Sequence, residues 1–230
     1  MFNPKDKELL TFDCYGTLID WESGILAALK PVLSKYGVEI DDERCLQAYA
    51  EFESAAESGA YMLYRQVLAE CLKGFGRRYG FTPAPDELER FSESVGDWKA
   101  FPDTAAALQK LKQQYKLAIL SNIDDDLFAR SNRRLAVQFD YIVTAQQVRS
   151  YKPAHGHFDA ILARSGLPKE RILHVAQSLF HDHVPAKLLG FDTAWINRRR
   201  DKTGPGATPV AEAQPDLEVP DLKSLVDLLC

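Results

Sequence analysis

Long hydrophobic runs, an excess of basic residues and clustered cysteines are all missing from this 230-residue sequence. No apolar stretch approaches the roughly 18 residues that a membrane-spanning helix needs. Lys and Arg total 28 against 33 Asp and Glu, which gives a formal net charge of -5. Such a balance offers no basic surface, so neither nucleic acid nor an acidic membrane is an expected partner. The start, MFNPKDKELLTF, lacks the features of a signal peptide, and we expect a cytoplasmic protein.

The few cysteines argue against both a disulfide framework and a zinc site. Cys14, Cys45, Cys71 and Cys230 are scattered, with no CxxC spacing and no histidine at metal-ligand intervals. We therefore predict four reduced thiols. Cys14 should point away from its neighbour Asp13, because side chains alternate along a strand. No cofactor is predicted.

Short apolar runs that alternate with helical patterns predict an α/β fold with a parallel sheet. The predicted strands cover residues 9–12, 116–122, 140–145, 171–176, 193–197 and 216–219. Apolar residues at three- and four-residue intervals predict helices over 104–115, 126–135, 157–165 and 183–189, and a last helix over 221–229.

Residues 18–99 depart from this alternation, because their pattern is helical throughout. We interpret them as an inserted helical cap domain, with a Rossmann-like core formed by residues 1–17 and 100–230. A length of 230 residues suits one full domain with a smaller satellite. The Gly-, Pro- and charge-rich stretch 198–215 is predicted to be a surface loop whose arginines are solvated.

Polar side chains follow four of the predicted strands. Ligands bind at the carboxyl ends of the strands in an open parallel sheet, so these side chains are the first candidates for a site. They are Asp13, Ser121, Asn122, Lys152 and Asp182. Alone, each has an ordinary structural explanation, such as a helix cap, a turn or a solvated charge.

Taken together, the same side chains form a complete hydrolytic set. It contains a carboxylate nucleophile, a hydroxyl and an amide to hold a substrate, an ammonium to keep the nucleophile ionised, and a second carboxylate to activate water.

The segments DCYGT, ILSN, SYKP and HVAQSLFHDHVPA resemble the four motifs of the haloacid dehalogenase superfamily, and the resemblance spans nearly the whole chain. It implies a Rossmann-like core with a cap. It also implies that Asp13 is the nucleophile, Ser121 the hydroxyl of the second motif, Lys152 the lysine of the third and Asp182 the acid of the fourth.

Two departures from the pattern point away from the Mg²⁺-dependent phosphatases of this superfamily. Phosphatases carry Asp-x-Asp in the first motif and Gly-Asp in the fourth, where this sequence has Tyr15 and Ala176-Gln177. Magnesium demands hard oxygen ligands in a strict geometry, so the loss of these carboxylates weakens such a site. The DxYGT form instead resembles the type II L-2-haloacid dehalogenases, which need no metal.

This resemblance implies a mechanism on a small carboxylate substrate. Asp13 would displace a leaving group from C2 and form an ester, which water then cleaves at the Asp13 carbonyl. Lys152 would keep Asp13 ionised, and Asp182 would position Lys152 and help to deprotonate the water. The remaining predicted site residues divide into substrate contacts (Tyr15, Trp21, Ser121, Asn122) and supporting residues (Thr17, Gln177, Ser178).

Several points stay open on the sequence alone. Type II enzymes usually show SSNxxD in the fourth motif and a halide-binding cap arginine; here that motif differs, and Arg44 and Arg65 align poorly as candidates. A related enzyme that opens the ring of azetidine-2-carboxylate is an alternative, in which His181 or His183 would protonate the leaving nitrogen. Five aromatic residues are candidates to wall a dry pocket, and more of them are expected in the core: Trp21, Tyr61, Phe101, Phe180 and Trp195.

Two further hypotheses also remain. One is a phosphatase that binds Mg²⁺ through Asp13 and Asp182 alone. The other is a non-catalytic binding protein on a decayed scaffold, which the joint presence of opposed buried charges disfavours. Dimers are common in this superfamily, so a homodimer is possible.

Overall fold

The computed structural model describes residues 3–230 and contains one six-stranded sheet. The strands are β1 (Leu9–Phe12), β2 (Lys116–Ser121), β3 (Tyr141–Thr144), β4 (Ile172–Ala176), β5 (Asp192–Ile196) and β6 (Leu217–Val219). All neighbouring pairs are parallel, in the order β3-β2-β1-β4-β5-β6. The predicted α/β class is confirmed, and every predicted strand end agrees within one residue.

Ten α-helices surround or extend this sheet within the described residues. They are α1 (Trp21–Lys35), α2 (Asp42–Glu57), α3 (Tyr64–Tyr79), α4 (Pro85–Glu93), α5 (Thr104–Leu111), α6 (Asp125–Asn132), α7 (Ala145–Val148), α8 (Gly156–Ser165), α9 (Val184–Leu189) and α10 (Leu222–Leu229).

Two helices end earlier than their apolar patterns predict. Helix α5 stops at Leu111 because the chain turns before Lys116, whose N–H pairs with the carbonyl oxygen of Glu8 at 3.0 Å. Helix α6 stops at Asn132, and Ala136 soon afterwards adopts a positive φ of 54°, which no helix accommodates. The single turn α7 was not predicted. Within residues 3–230, no helix combines the length and the apolarity that a membrane span requires.

Apolar side chains cover both faces of the sheet, as expected for parallel central strands. Leu10 and Phe12 of β1 point into a large cluster shared with α5, α6 and α10. Leu9 points into a second cluster with Phe158 of α8 and Ala186 of α9. Because β1 lies between β2 and β4, the residue that follows it emerges at the middle of the carboxyl edge.

Helices α1 to α4 lie between β1 and α5 in the chain, and they are fixed to the sheet by buried polar contacts. The carboxylate of Asp124 accepts hydrogen bonds from the backbone N–H groups of Tyr64 (2.8 Å) and Arg65 (3.1 Å), the first residues of α3. The hydroxyl of Tyr151 donates to the carbonyl oxygen of Met62 at 2.8 Å. The helical segment therefore covers the carboxyl edge of the sheet.

The prediction that the arginines of the 198–215 loop are solvated is wrong for two of them. The guanidinium of Arg198 binds both carboxylate oxygens of Asp103 at 3.0 and 3.1 Å. That of Arg199 binds Glu22 at 2.6 Å and Glu43 at 2.7 Å, and its side chain is only 11% exposed. The acids that pair with these two arginines lie more than 90 positions away in sequence. No local sequence pattern therefore indicates that the two arginines are paired.

Candidate active site

Asp13 lies at the centre of the carboxyl edge, immediately after β1. Its backbone N–H extends the pairing of β1 with β4 by donating to the carbonyl oxygen of Val175 at 3.1 Å. The chain then turns sharply at Gly16, which has a φ of +97°. A Cβ atom there would lie 3.0 Å from Nε1 of Trp21 and 3.1 Å from Oε1 of Gln177, so this position requires glycine.

Lys152 lies between the carboxylates of Asp13 and Asp182 and binds both. Its Nζ atom donates to Oδ1 of Asp13 (3.0 Å), Oδ1 of Asp182 (2.6 Å) and the carbonyl oxygen of Leu120 (2.8 Å). All three ammonium donors are used, and the Lys152 side chain is 1% exposed. The charge is therefore fixed between the carboxylates rather than solvated.

Thr17 and Gln177 fix Asp13 from the other side. The hydroxyl of Thr17 donates to Oδ2 of Asp13 at 2.8 Å, and its oxygen accepts the backbone N–H of Gln177 at 2.9 Å. The carbonyl oxygen of Gln177 in turn accepts the indole N–H of Trp195 at 2.8 Å. Both Asp13 oxygens thus have fixed donors.

Sequence reasoning missed His174, which orients Asp182 from within β4. Its Nε2 atom lies 2.9 Å from Oδ1 of Asp182, and its Nδ1 atom lies 2.9 Å from Oγ1 of Thr11. Oδ2 of Asp182 is buried without a partner among the described residues, so it is open to a water molecule. A polar residue inside the apolar run RILHVA was the only available signal for this contact.

Ser121 ends β2 and Asn122 follows it, but their side chains have different surroundings. The Oγ atom of Ser121 is fully buried and has no partner among the described residues, although it lines the same cavity as Asp13. An orphaned hydroxyl there suits a bound ligand. The amide of Asn122 binds the backbone of Lys152, with its Oδ1 accepting at 2.8 Å and its Nδ2 donating at 3.0 Å. Its contact with the substrate stays a prediction.

The fourth motif forms a tight turn over residues 179–183 that begins at Ser178. The Oγ atom of Ser178 accepts the backbone N–H of His181 at 2.9 Å, and Ser178, His181 and Asp182 all line the cavity. Burial lowers the pKa of His181 to about 4, so its ring is neutral at pH 7. His183 instead directs Nε2 at the carbonyl oxygen of Ala176, 3.0 Å away.

Two of the predicted substrate contacts, Tyr15 and Trp21, also line the cavity. The hydroxyl of Tyr15 donates to Oγ of Ser131 at 2.9 Å, so the ring is held in place. The other four candidate aromatics, Tyr61, Phe101, Phe180 and Trp195, do not line it. Neither do the arginine candidates: Arg44 is 81% exposed, and Arg65 is engaged by Glu93, Asp124 and Asp126.

The helical segment adds acidic residues that the sequence analysis did not single out. Glu53 and Glu57 of α2 and Tyr64 of α3 line the cavity. Oε1 of Glu53 accepts hydrogen bonds from the hydroxyls of Tyr49 (2.9 Å) and Tyr64 (2.6 Å). Oε2 of Glu57 lies 3.4 Å from Nδ2 of Asn122. Glutamates on an amphipathic helix look like an exposed face in sequence, which conceals this arrangement.

The charged groups perturb one another strongly. Burial raises the pKa of Asp13, and the neighbouring Asp182 adds to this rise against the pull of Lys152. Burial alone would raise the pKa of Asp182 too, but Lys152 and His174 outweigh it and lower that pKa. Burial opposes the charge of Lys152, yet the two carboxylates raise its pKa. Lys152 and Asp182 are therefore ionised at neutral pH, and Asp13 loses its charge more readily in acid than an ordinary aspartate.

The donors at this edge do not suit Mg²⁺. Oδ1 of Asp13 and Oδ1 of Asp182 both accept from Lys152, and an ammonium takes the position between the carboxylates. Tyr15 and Gln177 supply no carboxylate. Among residues 3–230, no three His, Cys, Asp or Glu side chains cluster in a way that could hold a metal ion.

Known proteins resemble this chain over most of its length. The family model for haloacid dehalogenase-like hydrolases matches residues 7–177, about three quarters of the chain. Haloacetate dehalogenase H-2 of Moraxella sp. (strain B) is 27% identical, covering 98% of this chain and 99% of its own. (S)-2-haloacid dehalogenase H-109 of Pseudomonas putida is 26% identical, over 96% and 97% of the two chains.

Solved structures agree in fold. The L-2-haloacid dehalogenase of Xanthobacter autotrophicus with chloropropionic acid covalently bound has a TM-score of 0.79 and 22% identity. The match covers 97% of this chain and 98% of that one. The sheet, the inserted helices and their connections are thus those of this group of structures.

Proposed function

Because this chain belongs to the haloacid dehalogenase-like hydrolase family, we propose that it hydrolyses a small 2-substituted carboxylate, a 2-haloacid, through an ester formed on Asp13. One observation carries the proposal: the buried ammonium of Lys152 bridges Asp13 and Asp182, and all three of its N–H donors bind protein oxygens. A carboxylate held this way is ionised, desolvated and faces a cavity lined by residues of both the sheet edge and the helical segment. The cavity is small, with a volume of about 30 Å³, so it excludes a large substrate.

In the first step, a carboxylate oxygen of Asp13 attacks C2 from the side opposite the halide. The C2–O bond forms as the carbon–halogen bond breaks, and the halide leaves with the electron pair, which inverts C2. Thr17 and Lys152 fix the two Asp13 oxygens, so little reorientation precedes the attack.

In the second step, water attacks the Asp13 carbonyl carbon, and the unpartnered Oδ2 atom of Asp182 accepts a proton of this water. The bond from this carbon to the substrate oxygen then breaks, that oxygen takes the proton back from Asp182, and the 2-hydroxy acid leaves. Asp13 keeps the oxygen of the water and loses the remaining proton to solvent. His174 and Lys152 both bind the other oxygen of Asp182, so the reactive one keeps a fixed direction. Lys152 also stabilises the negative charge that develops on the carbonyl oxygen.

The substrate carboxylate binds at Ser121 with nearby backbone N–H groups. The buried, unpartnered Oγ of Ser121 supports this placement, since a bound carboxylate would satisfy it. Tyr15 and Trp21 shield the reacting carbon from water. Residues 18–99 act as the cap over this site. A cytoplasmic location and a homodimer stay predictions.

The alternatives have less support. Both curated relatives named above carry the names of dehalogenases, which favours halide over a ring amine as the leaving group. His181 is neutral and His183 is turned to Ala176, so neither supports amine protonation. The ammonium between the carboxylates disfavours a Mg²⁺-dependent phosphatase.

A single-turnover reaction in oxygen-18 water tests the proposal. With enzyme in excess and 2-chloropropionate as substrate, the new hydroxyl oxygen of the product comes from Asp13 and carries no label, while Asp13 acquires it. Halide release should persist in EDTA. Asp13→Asn should lower turnover by roughly 10⁴-fold or more, whereas the matched variant Asp227→Asn, on the exposed face of α10, should not. Labelled product in the first turnover contradicts the mechanism.

A further inference from the structure

The helical segment lines the cavity with acidic and aromatic side chains. It covers the sheet edge from which Asp13 enters the cavity, so in the proposed in-line displacement the leaving group departs towards this segment. Among the described residues, that segment presents Trp21, Glu53, Glu57 and Tyr64 to the cavity and no cationic side chain. An anion that leaves in this direction meets two glutamates.

The two glutamates differ in their hydrogen bonding. Glu53 is buried, and one of its oxygens already accepts two tyrosine hydroxyls. Glu57 is only half-buried and has a single weak contact, 3.4 Å from Nδ2 of Asn122. Glu57 therefore keeps a carboxyl oxygen free for a ligand. The buried, unpartnered Oγ of Ser121, assigned above to the substrate carboxylate, lines the same cavity, so a substrate bound there lies within the space that Glu57 also lines.

The surroundings of Glu57 favour its neutral form. Burial and the charge of Glu53 raise the pKa of Glu57 well above its usual value, against the opposing effects of Lys152 and Asn122. Burial also raises the pKa of Glu53, to about 7. The other ionisable groups that face Glu57 are Cys71 on α3 and Tyr151 and Lys152 after α7, and burial or paired charges raise the pKa of each. These three keep their protons as the glutamates titrate.

We propose that Glu57 is a protonated carboxylic acid whose O–H donates a hydrogen bond to the departing halide, and that this donor assists the departure of fluoride more than that of chloride. This inference rests on the proposed attack at C2. A carboxylic acid kept neutral by its surroundings is an effective donor to developing negative charge. Fluoride accepts hydrogen bonds more strongly than chloride does because its charge is more concentrated, so the same donor assists it more.

The step balances without transfer of the Glu57 proton. The C2–O bond to Asp13 forms, the C–F bond breaks, and fluoride leaves with the electron pair while hydrogen-bonded to Glu57. Glu53 acts as a positioning residue, because it contacts no reacting atom and keeps Glu57 protonated through its own charge.

The test measures fluoride and chloride release from 2-fluoro- and 2-chloropropionate. Glu57→Leu should lower fluoride release by about 10-fold or more and chloride release much less, since the lost hydrogen bond counts most for fluoride. Glu57→Gln keeps an N–H donor and should retain most of the defluorination. Glu51 lies six residues earlier, on the exposed side of α2. Glu51→Leu and Glu51→Gln are therefore matched controls, and they should change neither rate.

A pH series adds an independent readout. The active form of Glu57 is protonated, so fluoride release by the wild type should fall as pH rises through the raised pKa of this group. Glu57→Gln has no titrating proton at this position, so its pH profile should lose this fall in rate, the basic limb. Glu53→Gln removes the charge that helps to hold the proton, so the limb should move to lower pH.

The outcomes separate this inference from the function on which it rests. If wild-type enzyme dehalogenates both acids but Glu57→Leu slows them equally, or Glu57→Gln keeps the basic limb, the role of Glu57 is wrong and the aspartyl-ester mechanism stands. If the wild type releases neither halide, both proposals are overturned.

Discussion

The Nε2 atom of His174 lies 2.9 Å from Oδ1 of Asp182, deep in the sheet and shielded from solvent. Through this contact a strand residue sets the direction of the carboxylate that, in the proposed mechanism, receives the proton of the hydrolytic water. A hydrogen bond to a charged group is worth about 1.5–3 kcal/mol, so its loss should be visible in the rate.

His174→Leu should therefore slow ester hydrolysis by about 10- to 100-fold and affect ester formation less. The ester on Asp13 then accumulates during turnover, and mass measurement of the intact protein detects it as an added acyl group. His174→Gln, which restores a donor, should recover part of the rate. Thr11→Val, which removes only the hydroxyl at Nδ1, is the milder control. A variant without accumulated ester would contradict this role.

Removing the ammonium should destabilise the protein in a pH-dependent way. Lys152→Met leaves the carboxylates of Asp13 and Asp182 buried without their cation, which costs about 3–5 kcal/mol in the free energy of unfolding at pH 8. In this variant the folded-state pKa of a buried carboxyl rises above its unfolded value, so the folded protein binds more protons. Stability should therefore recover as pH falls towards 5.

Urea unfolding at pH 5 and pH 8 measures both effects. Lys187→Met is a matched control, because Lys187 pairs with Asp216 at 2.6 Å near the surface, where such a pair contributes about 0–1 kcal/mol. Equal losses in the two variants would show that the buried position of Lys152 carries no special energy.

The acid limb of the activity profile should report Asp13. Its pKa is raised by burial, and only the ionised form attacks, so halide release should fall as pH drops through a value above the usual 3.8. The hydroxyl of Thr17 donates to the ionised form and lowers this pKa. Thr17→Val should move the acid limb of kcat/KM to higher pH, while the exposed Thr203→Val leaves it in place. If the acid limb does not move in Thr17→Val, the limb reports the titration of a group other than Asp13.

Gly16 should be less tolerant of alanine than a glycine with the same kind of backbone elsewhere. Gly16 and Gly37 both have positive φ, at +97° and +70°, so Gly→Ala strains either by about 1–3 kcal/mol. Only at Gly16 does the new Cβ also press on a side chain, at 3.0 Å from Trp21, whereas nothing lies within 4 Å at Gly37. Urea unfolding and turnover should show a larger loss for Gly16→Ala.

The fold and the positions of several candidate site residues were predictable because their signals are local. Each strand is a short apolar run, Asp13 follows such a run directly, and Ser121 ends one. The missed features are contacts through space: His174 meets Asp182, and Glu53 meets two tyrosines, without a mark in the pattern of either segment. Arg199 shows the same limit, because its partners lie in α1 and α2.

The pairing of Arg199 with Glu22 and Glu43 spans 177 and 156 positions of the chain. During synthesis the two acids leave the ribosome more than 150 residues before their counter-ion does, so they stay hydrated until Arg199 emerges. Contacts of such long sequence separation form late, because loop closure must precede them. The helices that cover Asp13 are thus joined by an ion pair that is completed long after they are made, and a chain interrupted before Arg199 lacks it.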